Sequence, residues 1–174
     1  IRFGELADSQ VVARRIGGTA RVCVASPAYL RARGTPASPS DLHSHNCITY
    51  NHLFSNEWQF EGLQGAQSLR VHGDFRANSA PIIRAAALEG IGIAYMPAVF
   101  VQADIDHGSL IRVLADYGPP PVDIHLVYPS ARLISTKVKL FLEFIRQEFE
   151  GIPALQVPTT TPRRGPRIRA KVRA

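Results

Sequence analysis

Four small groups of side chains in this sequence could hold or transform a small molecule. Arg2 stands at the end of a strand-like opening, Ile1-Arg2-Phe3, and its guanidinium could grip a carboxylate through paired, charge-assisted bonds. The plainer reading is a strand-end arginine in a surface salt bridge. Ser26-Pro27 follows a strand and opens a helix, which would aim a hydroxyl and free backbone amides at a polar or anionic group. Against that, Ser26 would serve equally well as a simple helix cap. Asn78-Ser79 repeats the arrangement ahead of an Ala-rich helix, with Asn78 either the cap or a hydrogen-bonding partner for a ligand. His43, His45 and Cys47 are spaced by two, and alternation on a strand would bring them to one face. No fourth ligand lies nearby and His43 reads as a helix end, so no metal site is expected.

Reaction chemistry has little support. There is no nucleophile elbow, no Gly-rich phosphate loop followed by Lys, and no pair of carboxylates flanked by a base. Glu57, Glu61 and Asp74 read as solvated loop and strand positions. Neither catalytic residues nor a cofactor are expected, and the chain reads first as a ligand-binding module.

The elements that must position these groups alternate between strand and helix, the pattern of an α/β layered fold. Val22–Ala25 is an unbroken apolar run, as in a parallel strand covered on both faces. Ser26, Pro27 and Gly34 then bracket a short helix. Ser38-Pro39-Ser40-Asp41-Leu42 forms a second capped turn before a strand over 47–50. Residues 51–67 look loop-like except for Trp58-Gln59-Phe60, which alternates like an exposed edge strand. Leu69, Val71 and Phe75 suggest one strand with a bulge at Gly73. A helix over 79–88 carries a small-residue face and ends at Gly90, and Ile91–Tyr95 reads as another buried strand. A helical segment over 98–105 ends near Gly108, with strands over 110–114 and 123–128 beyond it. Ser135 caps the clearest helix, whose Val138, Phe141, Leu142, Ile145 and Phe149 form one apolar stripe.

With 174 residues, 45% of them hydrophobic, the chain can bury a substantial core. Its pI of about 9.8 suggests a nucleic-acid partner until the charges are located. Six of the 20 basic residues (Arg163, Arg164, Arg167, Arg169, Lys171 and Arg173) follow Gly151, leaving 14 bases against 14 acids in the body. The excess therefore belongs to a Pro/Thr/Arg-rich tail, read as disordered, whose sharper alternative is weak contact with nucleic acid. Cys23 and Cys47 fall in buried strands, which fits a reducing compartment better than a disulfide framework. No run is long enough to cross a bilayer and no secretory leader opens the chain. A start inside a strand, without an initiator Met, suggests a fragment.

The ordered set of motifs resembles the effector-binding domain of LysR-type transcriptional regulators. It comprises Arg2-x-Gly4, Ala13-Arg14-Arg15-Ile16, Val24-Ala25-Ser26-Pro27-Ala28-Tyr29-Leu30, Asn78-Ser79, Glu89-Gly90-Ile91-Gly92-Ile93-Ala94-Tyr95-Met96-Pro97 and Val127-Tyr128-Pro129-Ser130. The resemblance covers about residues 1 to 149. It implies a two-lobed fold like that of type II periplasmic binding proteins, with crossings near 20–25 and 93–97. Residues 1–19 and 97–150 would form lobe I, 20–96 lobe II, and 151–174 the disordered basic tail. Lobe I would be incomplete, exposing an apolar sheet face and an open strand edge. Effector contacts would come from Arg2, Gly4, Ser26, Pro27, Asn78, Ser79, Tyr95 and Pro97. Tyr95 could lay its ring beside a ligand or simply pack in the core, and Pro97 would stiffen the second crossing.

The implied function is that of a cytoplasmic, non-enzymatic sensor for a small, anionic metabolite, a carboxylate in the first instance. The full-length protein would form a homo-oligomer and reach DNA only through a helix-turn-helix domain missing from this chain, with no membrane partner. A solute-binding protein serving a transporter is the alternative.

Overall fold

The structure is a computed structural model describing residues 1–3, 11–50, 56–62, 65–129, 135–152 and 155–157. Lobe II is built on a five-stranded mixed sheet. It contains β3 (Arg21–Ala25), β4 (Cys47–Tyr50), β7 (Arg76–Ala77), β8 (Ile93–Pro97) and β9 (Ile111–Val113), in the order β7-β4-β8-β3-β9. Lobe I is a three-stranded antiparallel sheet of order β1-β10-β2, from β1 (Arg2–Phe3), β2 (Val11–Thr19) and β10 (Val122–Pro129).

Lobe II has a layer on each face of its sheet. One face carries α1 (Pro27–Arg33), the 3-10 turn Pro39–Ser44 and the hairpin β5–β6 (Glu57–Gly62 and Gly65–Arg70). There Leu42, Trp58, Phe60 and Val71 pack on Cys23, Cys47, Ile93 and Tyr95. The other face carries α2 (Ala80–Leu88) and α3 (Gln102–Asp106), where Ile83, Ala86, Ala87 and Val101 meet Val24, Ile48, Ala94 and Met96. The expected small-residue face of α2 thus lies on the sheet. Helix ends follow their local signals: Tyr29 N donates to Ser26 Oγ at 3.2 Å, and Gly34 closes α1 at φ +83°. Ser135 Oγ likewise accepts from Val138 N at the start of α4 (Thr136–Glu150).

Four expectations need correction. β3 is buried on both faces but runs antiparallel to both neighbours, β8 and β9. An apolar run records that both faces are covered, while strand direction is set by the partners. Residues 69–75 are not one bulged strand. β6 stops at Arg70, and Gly73 lies so close to β4 that a Cβ there would sit 1.8 Å from the Cys47 carbonyl oxygen. The stretch after Pro97 does not pass directly into lobe I, because β9 pairs with β3 and Leu110 and Val113 are buried in lobe II. β10, α4 and the segment 155–157 return. Finally, 155–157 do not belong to a disordered tail: Leu155 is 4% exposed beneath β2, and Val157 N donates to Gly18 O at 3.1 Å.

Lobe I has a helix on only one face. Phe3, Ile16, Ile124 and Leu126 meet Leu142, Ile145 and Phe149 of α4. Apolar exposure in lobe I is spread over the strands, where Ile1 is 61% and Val12 37% exposed, and over α4. Leu140, Phe141 and Phe144 project from α4, whereas the sheet face opposite α4 carries Arg2, Arg15, Asp123 and His125. Among the described residues, no helix is long and apolar enough to cross a membrane.

Candidate functional site

The chain passes from lobe I to lobe II at Ala20 and returns between Val113 and Val122, while Pro97 ends β8 at the same junction. The first crossing is tied to the end of β8, with Arg21 paired to Pro97 in register and Ala98 N donating to Ala20 O at 2.8 Å. Strand registers determine which groups reach this junction. β7, β4 and β8 run parallel, with Ala77 beside Tyr50 and Ile48 beside Ala94. Continuing those registers brings Asn78 level with Pro97. The carboxyl ends of three parallel strands therefore converge at the junction, the usual location of a ligand crevice in an open α/β sheet. Asn78 is exposed and Ser79 half-buried. Ser79, not Asn78, is the N-cap residue of α2; its side chain makes no capping bond. Its hydroxyl and the amides of Ala80 and Ile82 thus offer hydrogen bonds at the crossing, Pro81 having no N–H and Ile83 N donating to Ser79 O.

Ser26 and Pro27 are at the other end of the sheet. Because β3 is antiparallel to β8, Val24 lies beside Ala94 and Ser26 falls level with Gly92. Five residues of strand, roughly 16 Å, separate that level from Pro97. Ser26 is 3% exposed, and its hydroxyl already caps α1. The expectation that α1 opens at the crevice is therefore corrected, and the cause is the direction of β3.

Tyr95 is near the crossing but packed. Its ring stacks on Trp58 at 5.1 Å, its hydroxyl donates to Gln59 O at 3.1 Å, and Arg21 Nη1 donates to that hydroxyl at 3.4 Å. Burial pushes its phenol above the ordinary range, against the pull of Arg21. The ring holds the hairpin to the crossing strand, which is the plainer of its two readings. Pro97 is buried between the strands and the 3-10 turn that follows.

From lobe I, Arg2 is exposed one residue before Phe3, whose ring lies 5.4 Å from Phe100 in the 3-10 turn after Pro97. Gly4 lies outside the described residues. Sequence reasoning missed Tyr50, half-buried at the junction end of β4, and Arg21. Burial pushes the Tyr50 phenol up to about 12, so it is neutral near pH 7. Their signal was present, since each begins or ends a legible apolar strand.

Two other features lie away from the crossing. A groove of about 290 Å³ lies at the far end of lobe II, lined by Tyr29, Arg33, Asn46, Asp74 and Glu89. Its framework is internally bonded: Asn46 Oδ1 accepts from Asp74 N, Asn46 Nδ2 donates to Ile91 O, and Asn46 N donates to Tyr29 OH, each at 2.9 Å. That bonding reads as a lock between loops, so the crossing remains the stronger candidate. Cys23 and Cys47 are both buried thiols separated by the intervening β8, roughly 10 Å across and beyond disulfide reach. Burial pushes the Cys47 thiol up to about 12 and Cys23 higher still, which keeps both unreactive. Among the described residues, no group of three or more His, Cys, Asp or Glu side chains could hold a metal ion.

Comparison with known proteins bears on this geometry. Residues 1–150 match the family described as LysR substrate binding domain. The chain is 37% identical over 148 residues to an uncharacterized HTH-type transcriptional regulator, YhjC, of Escherichia coli K12, covering 83% of this chain and 50% of that protein. It is 33% identical over 150 residues to the HTH-type transcriptional regulator CrgA of Neisseria meningitidis serogroup C, covering 85% and 50% respectively. The CrgA regulatory domain superposes with a TM-score of 0.74 at 32% identity, covering 83% of this chain and 72% of that one. The AphB regulatory domain of Vibrio vulnificus gives 0.70 at 34%, covering 84% and 73%. The chain spans about half the length of the curated relatives it matches.

Proposed function

This chain belongs to the LysR substrate binding domain family, and from that premise we propose that it senses a small anionic metabolite at the junction of its two lobes. The observation that carries the reading is the double crossing. The chain enters lobe II at Ala20, which is bonded to Ala98 N, and returns between Val113 and Val122; Ser79, whose hydroxyl makes no capping bond, begins α2 at that end of the sheet. Asn78 and Ser79 would contact the ligand from lobe II, and Arg2 would bring a positive charge from lobe I. Pro97 would limit the backbone freedom of the hinge. A ligand held by both lobes favours the lobe arrangement it binds better, and only that difference in affinity can shift the population.

In the longer protein, that shift would alter a homo-oligomer's grip on DNA through a helix-turn-helix segment outside this chain, in the cytoplasm. The reading is of a switch without catalysis. The relatives' description as transcriptional regulators supports it over delivery of a solute to a transporter.

The test is thermal unfolding against a panel of carboxylates, with wild type, Arg2→Ala and Asn78→Ala. A ligand present at 100 times its Kd stabilises the folded state by about 2.7 kcal/mol. That stabilisation should shrink in both variants. A carboxylate that stabilises wild type and both variants equally would remove Arg2 and Asn78 from the site.

A further inference from the structure

The face of the lobe I sheet opposite α4 carries a row of nitrogen-bearing side chains set by strand register. Arg2 pairs with His125, and His125 pairs with Arg15, so all three stand at one level across β1, β10 and β2. Directly opposed residues in antiparallel strands project from the same face, with Cβ atoms about 5 Å apart. The row is thus about 10 Å long. Ile124 and Leu126, on either side of His125, point the other way into the α4 core, which fixes the orientation of the imidazole.

The three members differ in how they are occupied. Arg15 is bonded to the Asp123 carboxylate, two residues along β10 on the same face, and its Nη2 reaches Val157 O at 3.5 Å. Arg2 is exposed and has no ion-pair partner among the described residues. His125 Nδ1 is buried with no hydrogen-bond partner among the described groups. A buried polar atom without a partner is uncommon and costs stability. Asp123 would repel an anion at the β2 end of the row. Among the described residues, the β1 end of the row therefore sets a cation without an ion-pair partner, Arg2, opposite a ring, His125, whose Nδ1 lacks a hydrogen-bond partner.

We infer that Arg2 and His125, with Arg15 held behind them by Asp123, form a subsite for a carboxylate of the effector on lobe I. This rests on the sensing function proposed above, since the row lies three residues, roughly 10 Å, from the crossing end of β10 at Val122. The ligand class it selects has one carboxylate for Arg2 and His125 and a second polar group reaching toward Asn78 and Ser79. Arg2 is the flexible member, able to fold over a bound anion.

The experiment is NMR titration of the intact chain with succinate, benzoate and inorganic phosphate. It follows the carbon-bound ring protons of His125 and the backbone amides of Asn78 and Ser79. A carboxylate that shifts both sets supports the subsite and the sensing reading together. A shift of the His125 ring alone supports the subsite while contradicting an interlobe ligand. A shift at Asn78 and Ser79 alone, or saturation by phosphate with no carboxylate effect, overturns the subsite; so does a silent His125 with every probe. His125→Gln should weaken the responding carboxylate roughly 10- to 100-fold, the worth of one charge-assisted bond. Arg2→Lys should weaken it less than Arg2→Ala. An unchanged Kd in His125→Gln, with the native amide spectrum retained, also overturns it.

Discussion

The two lobes share one chain yet are held together differently. Lobe II has layers on both faces of its sheet, and Phe60, Ile48, Ile83, Ile93 and Met96 are at most 1% exposed. Among the described residues lobe I has one helix, α4, in which no residue is fully buried and Leu140 and Phe141 are 67% and 60% exposed. Its sheet is extended by the segment 155–157, which binds the edge of β2 through Gly18 and buries Leu155. A Cβ at Gly17 would sit 2.5 Å from the Leu155 carbonyl oxygen, so that close contact depends on the missing side chain. The contrast places most of the packing free energy of this chain in lobe II.

The comparison is broken most directly by cutting into each core. Phe60→Ala removes a fully buried ring from lobe II and should lower unfolding free energy by about 3–5 kcal/mol in urea denaturation. Ile124→Ala empties an equally buried site in lobe I, where the substitution class costs about 2–5 kcal/mol and a thinner shell should place it at the low end. Hydrogen exchange separates the two effects. In Ile124→Ala, protection should fall along β2 and β10 while β3, β4 and β8 keep theirs. Equal loss in both sheets would mean that the lobes unfold as one unit and that the contrast has no thermodynamic meaning.

A smaller effect sharpens the same point from outside. Phe141→Gln and Leu140→Gln alter side chains that already face solvent on α4, so unfolding free energy should change by no more than about 0.5 kcal/mol. Dye binding and self-association should both decrease, measured by fluorescence with a hydrophobic probe and by sedimentation. A loss of several kcal/mol instead would show that this face is packed in solution.

Local signals in the sequence were read well, and partner-dependent ones poorly. Ser26, Gly34 and Ser135 end or begin their helices because a cap needs only its own neighbours. The runs at 22–25 and 47–50 are buried strands because an apolar run reports coverage on both faces. The same run could not report that β3 lies antiparallel between β8 and β9, and that omission misplaced Ser26 and Pro27 by the length of the sheet. β6 was silent because residues 65–68 and 70 are exposed and carry no apolar pattern; its signal lies in the pairing with β5. Leu155 looked like an isolated apolar residue in a basic tail, and only its contact with Gly17 gives it meaning. Of the residues at the lobe junction, the positions of Asn78-Ser79 and Pro97 follow from the strand-to-helix order. The imidazole of His125 was legible only as the odd member of an alternating strand, with no hint that Arg2 stands opposite.

The smallest expected effect concerns acid, and it belongs to the far end of lobe II. His45 Nδ1 lies 3.1 Å from the Tyr29 hydroxyl, which also accepts from Asn46 N. Burial holds the His45 pKa below its ordinary value; Asp41 opposes this by raising it, and Arg33 adds to the lowering. A depressed imidazole pKa means that the unfolded chain binds the proton more readily than the folded one. Stability from this group is therefore present above the unfolded value of about 6.5 and is lost as pH falls through it. Asp41, whose carboxylate is held low chiefly by the Ser38 and Ala37 amides, stays ionised between pH 7.5 and 5.5 and leaves that window to the histidine. Wild type should lose a modest part of its Tm between those two pH values, and His45→Gln should lose less. The difference should trace to exchange around Asn46 and Tyr29 and leave β2 and β10 unchanged. If the acid loss were the same in both proteins, the weak point at low pH would lie outside the Tyr29–His45 contact, and lobe I would be the first place to look for it.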